Sequence, residues 1–320
     1  MEYINVRGLK KEYTIYQKKS LWRRNKIKIK ALQGIDFTVK QGEFLGYIGP
    51  NGAGKSTTIK ILTGIMTPSE GMVNVGKYIP YQERKRYVQN IGVVFGQKTQ
   101  MWWDLPVIDT YQLLRGIYRV APIDYQRQLE YLVEKLSLAD ILKQPVRQLS
   151  LGQRMRAELG ACLIHNPAIL FLDEPTIGLD LISKHRVIAF LQEINKQGKT
   201  IFLTTHDLKD IEILCNQMLV INHGKIVYKG TVEKLKTITA LPIRVLAQLA
   251  HQPGVHLINQ ILAQYAGIYY PEKKRLILDS KNKKETSEIA KTLFNNFGIE
   301  DFKIEEPSIE EIIKMIYSKN

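Results

Sequence analysis

Eight consecutive residues, Gly49-Pro50-Asn51-Gly52-Ala53-Gly54-Lys55-Ser56, constrain this chain more than any others. They match the phosphate-binding pattern G-x-x-x-x-G-K-[ST]. They lie between an apolar run, Phe44–Ile48, and a helix-forming stretch, Thr57–Ile65. Phosphate is highly charged and needs many donors at close range. Glycines let the backbone curl so that successive N–H groups point inward. In such a loop Lys55 brings positive charge to the β- and γ-phosphates, and the Ser56 hydroxyl ligates Mg²⁺. The helix that follows adds the positive end of its dipole. The pattern therefore predicts a strand–loop–helix unit that binds a nucleoside triphosphate through Gly49, Pro50, Asn51, Gly52, Ala53, Gly54, Lys55, Ser56 and Thr57.

A second segment completes that chemistry. Ile169-Leu170-Phe171-Leu172 reads as a buried strand, with Asp173 and Glu174 at its C-terminal end, where ligands sit in open α/β sheets. Asp173 is placed to hold Mg²⁺, directly or through water. Glu174, one residue on, points elsewhere and is suited to take a proton from an attacking water. Between and beyond these segments, hydrophobic periodicity alternates. It predicts strands at 33–40, 43–48, 91–95, 168–172, 200–204, 217–222 and 225–230. Helices are predicted at 55–65, 106–119, 124–137, 153–165, 181–196 and 207–215. That alternation predicts an α/β domain around a largely parallel sheet.

Composition excludes several alternatives. The 320 residues are 44% hydrophobic and 24% charged, ordinary for a globular chain. No apolar run approaches the length needed for a membrane span. The first residues lack the basic-then-apolar plan of a secretory leader, so a cytosolic chain is expected. Two cysteines, Cys162 and Cys215, make neither a disulfide framework nor a four-thiolate zinc site. Both are expected to be small buried apolar residues. Net charge is +15, and residues 1–30 alone carry +8. Such a patch suits an anionic surface or an acidic partner, or simply a solvated edge. Within it, 26–30 alternates polar and apolar residues, which suggests an extended hairpin over 18–30, with Trp22 suited to a membrane interface.

The motifs together resemble the nucleotide-binding subunit of an ATP-binding cassette (ABC) transporter. Leu149-Ser150-Leu151-Gly152-Gln153 is similar to that family's signature L-S-G-G-Q, with Leu151 where the pattern has glycine. Gln97 resembles the family's Q-loop glutamine, Gly178-Leu179-Asp180 its D-loop, and His206 its switch histidine. Tyr13 resembles the aromatic on which adenine stacks, with Tyr16 as a rival. Trp102-Trp103-Asp104-Leu105-Pro106 and the C-terminal extension resemble ATPases of drug-export systems.

The resemblance implies a P-loop NTPase fold of the ATP-binding cassette type over 1–236, with a helical subdomain at about 98–152. It implies ATP and Mg²⁺ as ligands. Glu174, His206 and Lys55 are the implied catalytic set, and Ser56, Gln97 and Asp173 organise Mg²⁺ and water. Ser150, Gly152, Gln153 and Asp180 would join the nucleotide site across a dimer. The implied partners are separate transmembrane permease subunits and a second ATP-binding subunit, at the cytoplasmic face of the membrane. A groove over 98–119 would take the permease, with Trp102, Trp103, Leu105 and Tyr111 as contacts. Nucleic acid is not an expected partner. There is one phosphate loop, and the 117 residues between Ser56 and Glu174 leave no room for a long coiled coil.

From 243 onward the pattern changes to strand (243–249), helix (255–265), strands (267–270 and 275–279), helix (285–297), strand (300–305) and helix (308–318). That order predicts a ferredoxin-like α+β accessory domain over 243–320. It holds twelve basic and ten acidic residues from 236 on, and carries no catalytic motif.

Overall fold

The computed structural model describes residues 2–20, 23–96, 99–238 and 241–319. The chain divides into two compact units, 1–232 and 233–320.

The first unit contains strands β1 (Glu2–Ser20), β2 (Arg23–Lys40), β3 (Phe44–Ile48), β4 (Glu70–Val75), β5 (Ile91–Phe95), β6 (Ile169–Asp173), β7 (Thr200–Thr204), β8 (Gln217–Asn222) and β9 (Lys225–Gly230). Its helices are α1 (Lys55–Leu62), α2 (Arg84–Tyr87), α3 (Val107–Tyr118), α4 (Pro122–Leu136), α5 (Leu151–Leu163), α6 (Leu181–Lys196) and α7 (Leu208–Leu214). Six strands form the central sheet in the order β5-β6-β7-β3-β8-β9, parallel except for the β8–β9 hairpin. Strands β3 and β7 are buried along their whole length, as a parallel sheet covered on both faces requires. A smaller antiparallel sheet, β2-β1-β4, packs its apolar residues into the same core. Phe37 of β2 lies 6.1 Å, ring to ring, from both Tyr47 and Phe202 of the central sheet.

Helices α3, α4 and α5 form the helical subdomain. Tyr111 of α3 is fully buried there, and its hydroxyl donates to the Ala157 carbonyl of α5 at 2.8 Å. The expectation that Tyr111 is a surface contact is therefore wrong. A tyrosine at helical spacing has filled the core instead.

The second unit begins within α8 (Val232–Ile238) and continues as β10 (Ile243–Leu249), α9 (Val255–Gln264), β11 (Gly267–Tyr270), β12 (Arg275–Ser280), α10 (Lys283–Asn296), β13 (Ile299–Glu305) and α11 (Ile309–Lys319). Its four strands pair antiparallel in the order β11-β12-β10-β13, the ferredoxin-like arrangement. Ile258 and Ile261 of α9 and Ile289 and Leu293 of α10 join Val245, Ala247, Leu276 and Leu278 of the sheet in one core. The fold is α/β with a helical subdomain, plus a small α+β unit. Among the described residues no helix is long and apolar enough to cross a membrane.

Candidate active site

The site lies at the C-terminal ends of β3, β6 and β7. The loop from Gly49 to Gly54 joins β3 to α1, and its curl depends on glycines. Gly52 and Gly54 have φ of 81° and 114°, which side chains rarely adopt. A Cβ at Gly54 would also stand 2.7 Å from the Ala31 carbonyl oxygen of β2. The loop wraps round the Lys55 ammonium, which donates to the carbonyls of Gly49 (2.5 Å) and Pro50 (3.2 Å). Burial lowers the pKa of this lysine, and the carboxylates of Glu174 and Asp173 act against that shift.

Asp173 closes β6. Its Oδ2 lies 3.4 Å from the Ser56 hydroxyl of α1, and its Oδ1 accepts from the Thr204 hydroxyl of β7. Glu174 departs from strand geometry at φ 54°, a left-handed conformation uncommon outside glycine. Its N–H is pinned to the Thr204 carbonyl at 2.9 Å. This turn separates the two carboxylates, and Glu174 Oε2 meets His206 Nδ1 at 3.4 Å. Pro50, Ser56, Gly96, Asp173, Glu174 and His206 line one open cavity of about 860 Å³.

One hydroxyl and one carboxylate are hard oxygen donors in reach of each other. That suits Mg²⁺, which takes few protein ligands and completes its shell with substrate phosphates and water. Among the described residues no cluster of three or more His, Cys, Asp or Glu forms a self-sufficient metal cage.

The other expected residues are placed differently. Tyr13 Oη is 3.2 Å from both Thr57 Oγ1 of α1 and Met66 Sδ, and the Lys11 ammonium lies 5.7 Å from its ring. Gln97 and Trp22 lie outside the described residues, as does the side chain of Tyr16. Ser150, Gly152, Gln153 and Asp180 do not line the cavity. Ser150 and Gln153 instead form a reciprocal capping box at the start of α5. Asp180 caps α6 by accepting from the Ser183 N–H at 2.9 Å, and hydrogen bonds from Ser183 hold its carboxyl below the usual range. The Leu151 side chain leans on Gly178, where an added Cβ would stand 2.9 Å from it. Leucine at the third signature position thus packs against the turn before Asp180. Both cysteines are buried, and burial pushes their thiols up, as expected of apolar fillers.

Two arrangements were not foreseen from sequence. Lys184 of α6 donates to Asp207, the residue after His206, and reaches Asp210 at 2.8 Å. Asp210 is fully buried and also accepts from the Thr176 hydroxyl at 2.6 Å. This clamp ties the turn after Glu174 to the turn holding His206. Asp207 caps α7 by accepting from the Lys209 N–H. Second, buried Glu158 of α5 accepts from the Thr99 hydroxyl and from the Gln100 N–H at 3.1 Å. Burial raises its pKa in spite of those hydrogen bonds. Neither arrangement has a local motif, because each joins residues distant in sequence.

The sequence profile of the ABC transporter family matches residues 32–177. The fluoroquinolones export ATP-binding protein of Mycobacterium tuberculosis is 33% identical over 235 residues, 73% of each chain. The ABC transporter ATP-binding protein NatA of Bacillus subtilis is 29% identical over 207 residues, 65% of this chain and 84% of NatA. In fold, the chain resembles the dimeric post-hydrolysis ATP-binding cassette MJ0796 bound to ADP and Pi, with a TM-score of 0.62 at 24% identity, over 72% of this chain and 98% of the other. A cassette core with this cavity defines an ATP-binding, ATP-hydrolysing subunit whose turnover is coupled to transport. The chain belongs to the ABC transporter family as an ATP-binding subunit.

Proposed function

We propose that two copies of this chain, or one copy and a homologue, close head to tail over two ATP molecules and thereby drive separate membrane subunits, in the direction of export. The observation that carries this reading is the division of the site. Ser56, Asp173, Glu174 and His206 converge in one cavity with Gly49 and Pro50, whose carbonyls hold Lys55, whereas the α5 start with Ser150, Gly152 and Gln153 stands apart from it. The positive end of a helix dipole is suited to a γ-phosphate held by another chain.

In this reading Tyr13 stacks on adenine, and the loop from Gly49 to Thr57 holds the phosphates. Ser56 and Asp173 would hold Mg²⁺ together with Gln97, and the ion would neutralise charge on the β- and γ-phosphates. Glu174 takes the proton of the attacking water, and its left-handed turn aims the carboxylate away from Asp173. Lys55 and His206 stabilise charge developing on the γ-phosphate. Asp180 steadies the turn that would meet the other copy.

The membrane subunits dock on the helical subdomain, where Trp102, Trp103 and Leu105 are exposed. At the C-terminal end of α3 a cleft of about 820 Å³ is lined by Arg86, Arg119 and Arg127, beside Tyr118 stacked on His165 at 3.7 Å. In this reading the chain works at the cytoplasmic face of the membrane, held there by its partners and without nucleic acid. Export is supported by the relative described as exporting fluoroquinolones.

Glu174→Gln tests the reading. It should bind MgATP normally, lose ~100-fold or more of its turnover, and change from monomer to dimer on adding ATP. Near-normal turnover, or a monomer with ATP bound, contradicts it.

A further inference from the structure

Apart from Tyr13 near its base, the ribbon made by β1 and β2 beyond Lys10 has no part in the ATP chemistry. Strand β1 pairs with β4 only as far as Lys10 opposite Glu70. From Lys11 to Lys30 the two strands pair with each other alone, among the described residues. A two-stranded ribbon is marginally stable in water at best, so its surface chemistry carries the explanation.

The register is regular from Glu12 to Lys18. It sets Tyr13 opposite Ile29 and Ile15 opposite Ile27, which puts all four on one face. Glu12 opposite Lys30 and Thr14 opposite Lys28 occupy the other. Ile15, Ile27 and Ile29 are 48%, 42% and 46% exposed, and none belongs to the cassette core. Residues 11–30 hold eight Lys or Arg and one acidic residue, Glu12, which pairs with Lys28 at 3.3 Å.

Lysines alone would serve to keep an exposed edge from pairing. They do not account for three exposed isoleucines in register across two strands, since a contiguous apolar strip marks a contact surface. Apolar residues on one face of a strongly basic element suit one environment in particular. The apolar face enters the headgroup boundary while the cations meet anionic lipid.

We propose that the 11–30 ribbon is a peripheral membrane contact that lies on an anionic bilayer. The occupant follows from charge complementarity, an excess of seven positive charges over twenty residues, combined with the isoleucine strip. The proposal goes beyond the ATPase reading and does not need the membrane subunits, so its test uses the full chain alone.

Co-sedimentation with phosphatidylcholine vesicles, with and without phosphatidylglycerol, gives the measurement. Binding is expected only to the mixed vesicles and should fall as salt rises. Lys28→Glu/Lys30→Glu should weaken it ~10-fold or more. Ile15→Ser/Ile27→Ser should weaken it by roughly tenfold, with ATP turnover in the absence of vesicles unchanged, which also reports an intact fold. No binding to mixed vesicles overturns the proposal, as does equal binding by either variant. Capture on immobilised polyglutamate that is as strong as on mixed vesicles, and indifferent to Ile15→Ser/Ile27→Ser, would assign the ribbon to an acidic protein and overturn it too.

Discussion

Around the nucleotide cavity, Ser56, Asp173, Glu174 and His206 arrive from the ends of three different strands, and they meet partners far away in sequence, Asp173 with Ser56 and Thr204 and Glu174 with His206. In the C-terminal unit the buried set is nearly all apolar, and its ion pairs, such as Arg244 with Glu311 at 3.2 Å, are exposed. The first region buries the Lys55 charge and must pair it, so small displacements are costly there. The second is held by area burial, which tolerates change at its surface. Sensitivity to mutation should divide along that line.

The largest effect should come from the loop. Lys55→Ala removes the ammonium around which Gly49 and Pro50 fold. ATP affinity should weaken, and hydrolysis should fall ~1000-fold or more, as read by nucleotide titration and phosphate release. Appreciable turnover would break the contrast at its strongest point.

A smaller but still large loss is expected at Lys184. Lys184→Met leaves the Asp210 carboxylate buried without its cation, and should destabilise the fold by about 3–5 kcal/mol. In the folded fraction, kcat should fall ~10- to 100-fold through displacement of the His206 turn, with KM little changed and Lys184→Arg restoring most of the rate.

The pH response of this clamp follows from its shifts. Burial acts to lower the Lys184 pKa, but hydrogen bonds and charge from Asp207 and Asp210 outweigh it and hold the pKa above 10.5. Burial acts to raise the Asp207 pKa, but Lys184 outweighs that and holds it below 3.8. The clamp's stabilisation is thus lost as pH rises through the raised lysine value, or falls through the depressed aspartate value. Between them the wild type minus Lys184→Met stability difference should stay flat, which denaturant titration at several pH values checks.

The smallest effect belongs to the second unit. Truncation after Lys236 should leave ATP affinity within roughly twofold, because the second unit has a core of its own and carries no phosphate-binding motif, and changes remote from such features move little free energy. Loss of nucleotide binding in a folded truncation would erase the distinction between the regions.

The same contrast explains what was legible in the sequence. The C-terminal strands and helices follow alternation and helical spacing in residues next to one another, and β10 and β11 fall where the pattern put them. The phosphate loop, Asp173 and Glu174 were readable because each sits beside an apolar strand in a local motif, whereas His206 was named only by the family resemblance. Strand β4 was not. Its sequence, Glu70-Gly71-Met72-Val73-Asn74-Val75, is half exposed, and it is a strand because β1 pairs with it. The Lys184 clamp and the Glu158 tether to Thr99 escaped for the same reason, since only the folded chain brings their partners together. Tyr111 misled because an aromatic at helical spacing serves a core or an interface equally well.

The central claim is that a working site takes its phosphate loop from one chain and its α5 start from another. Lys55→Ala disables the loop, and Ser150→Glu puts a carboxylate where the γ-phosphate of the other chain would lie. Each variant alone should be nearly inactive. Mixed in equal amounts, they form some dimers with one intact composite site, so ATP turnover should reappear well above the sum of the separate rates. A mixture no more active than its parts would place the whole site within one chain and contradict the account.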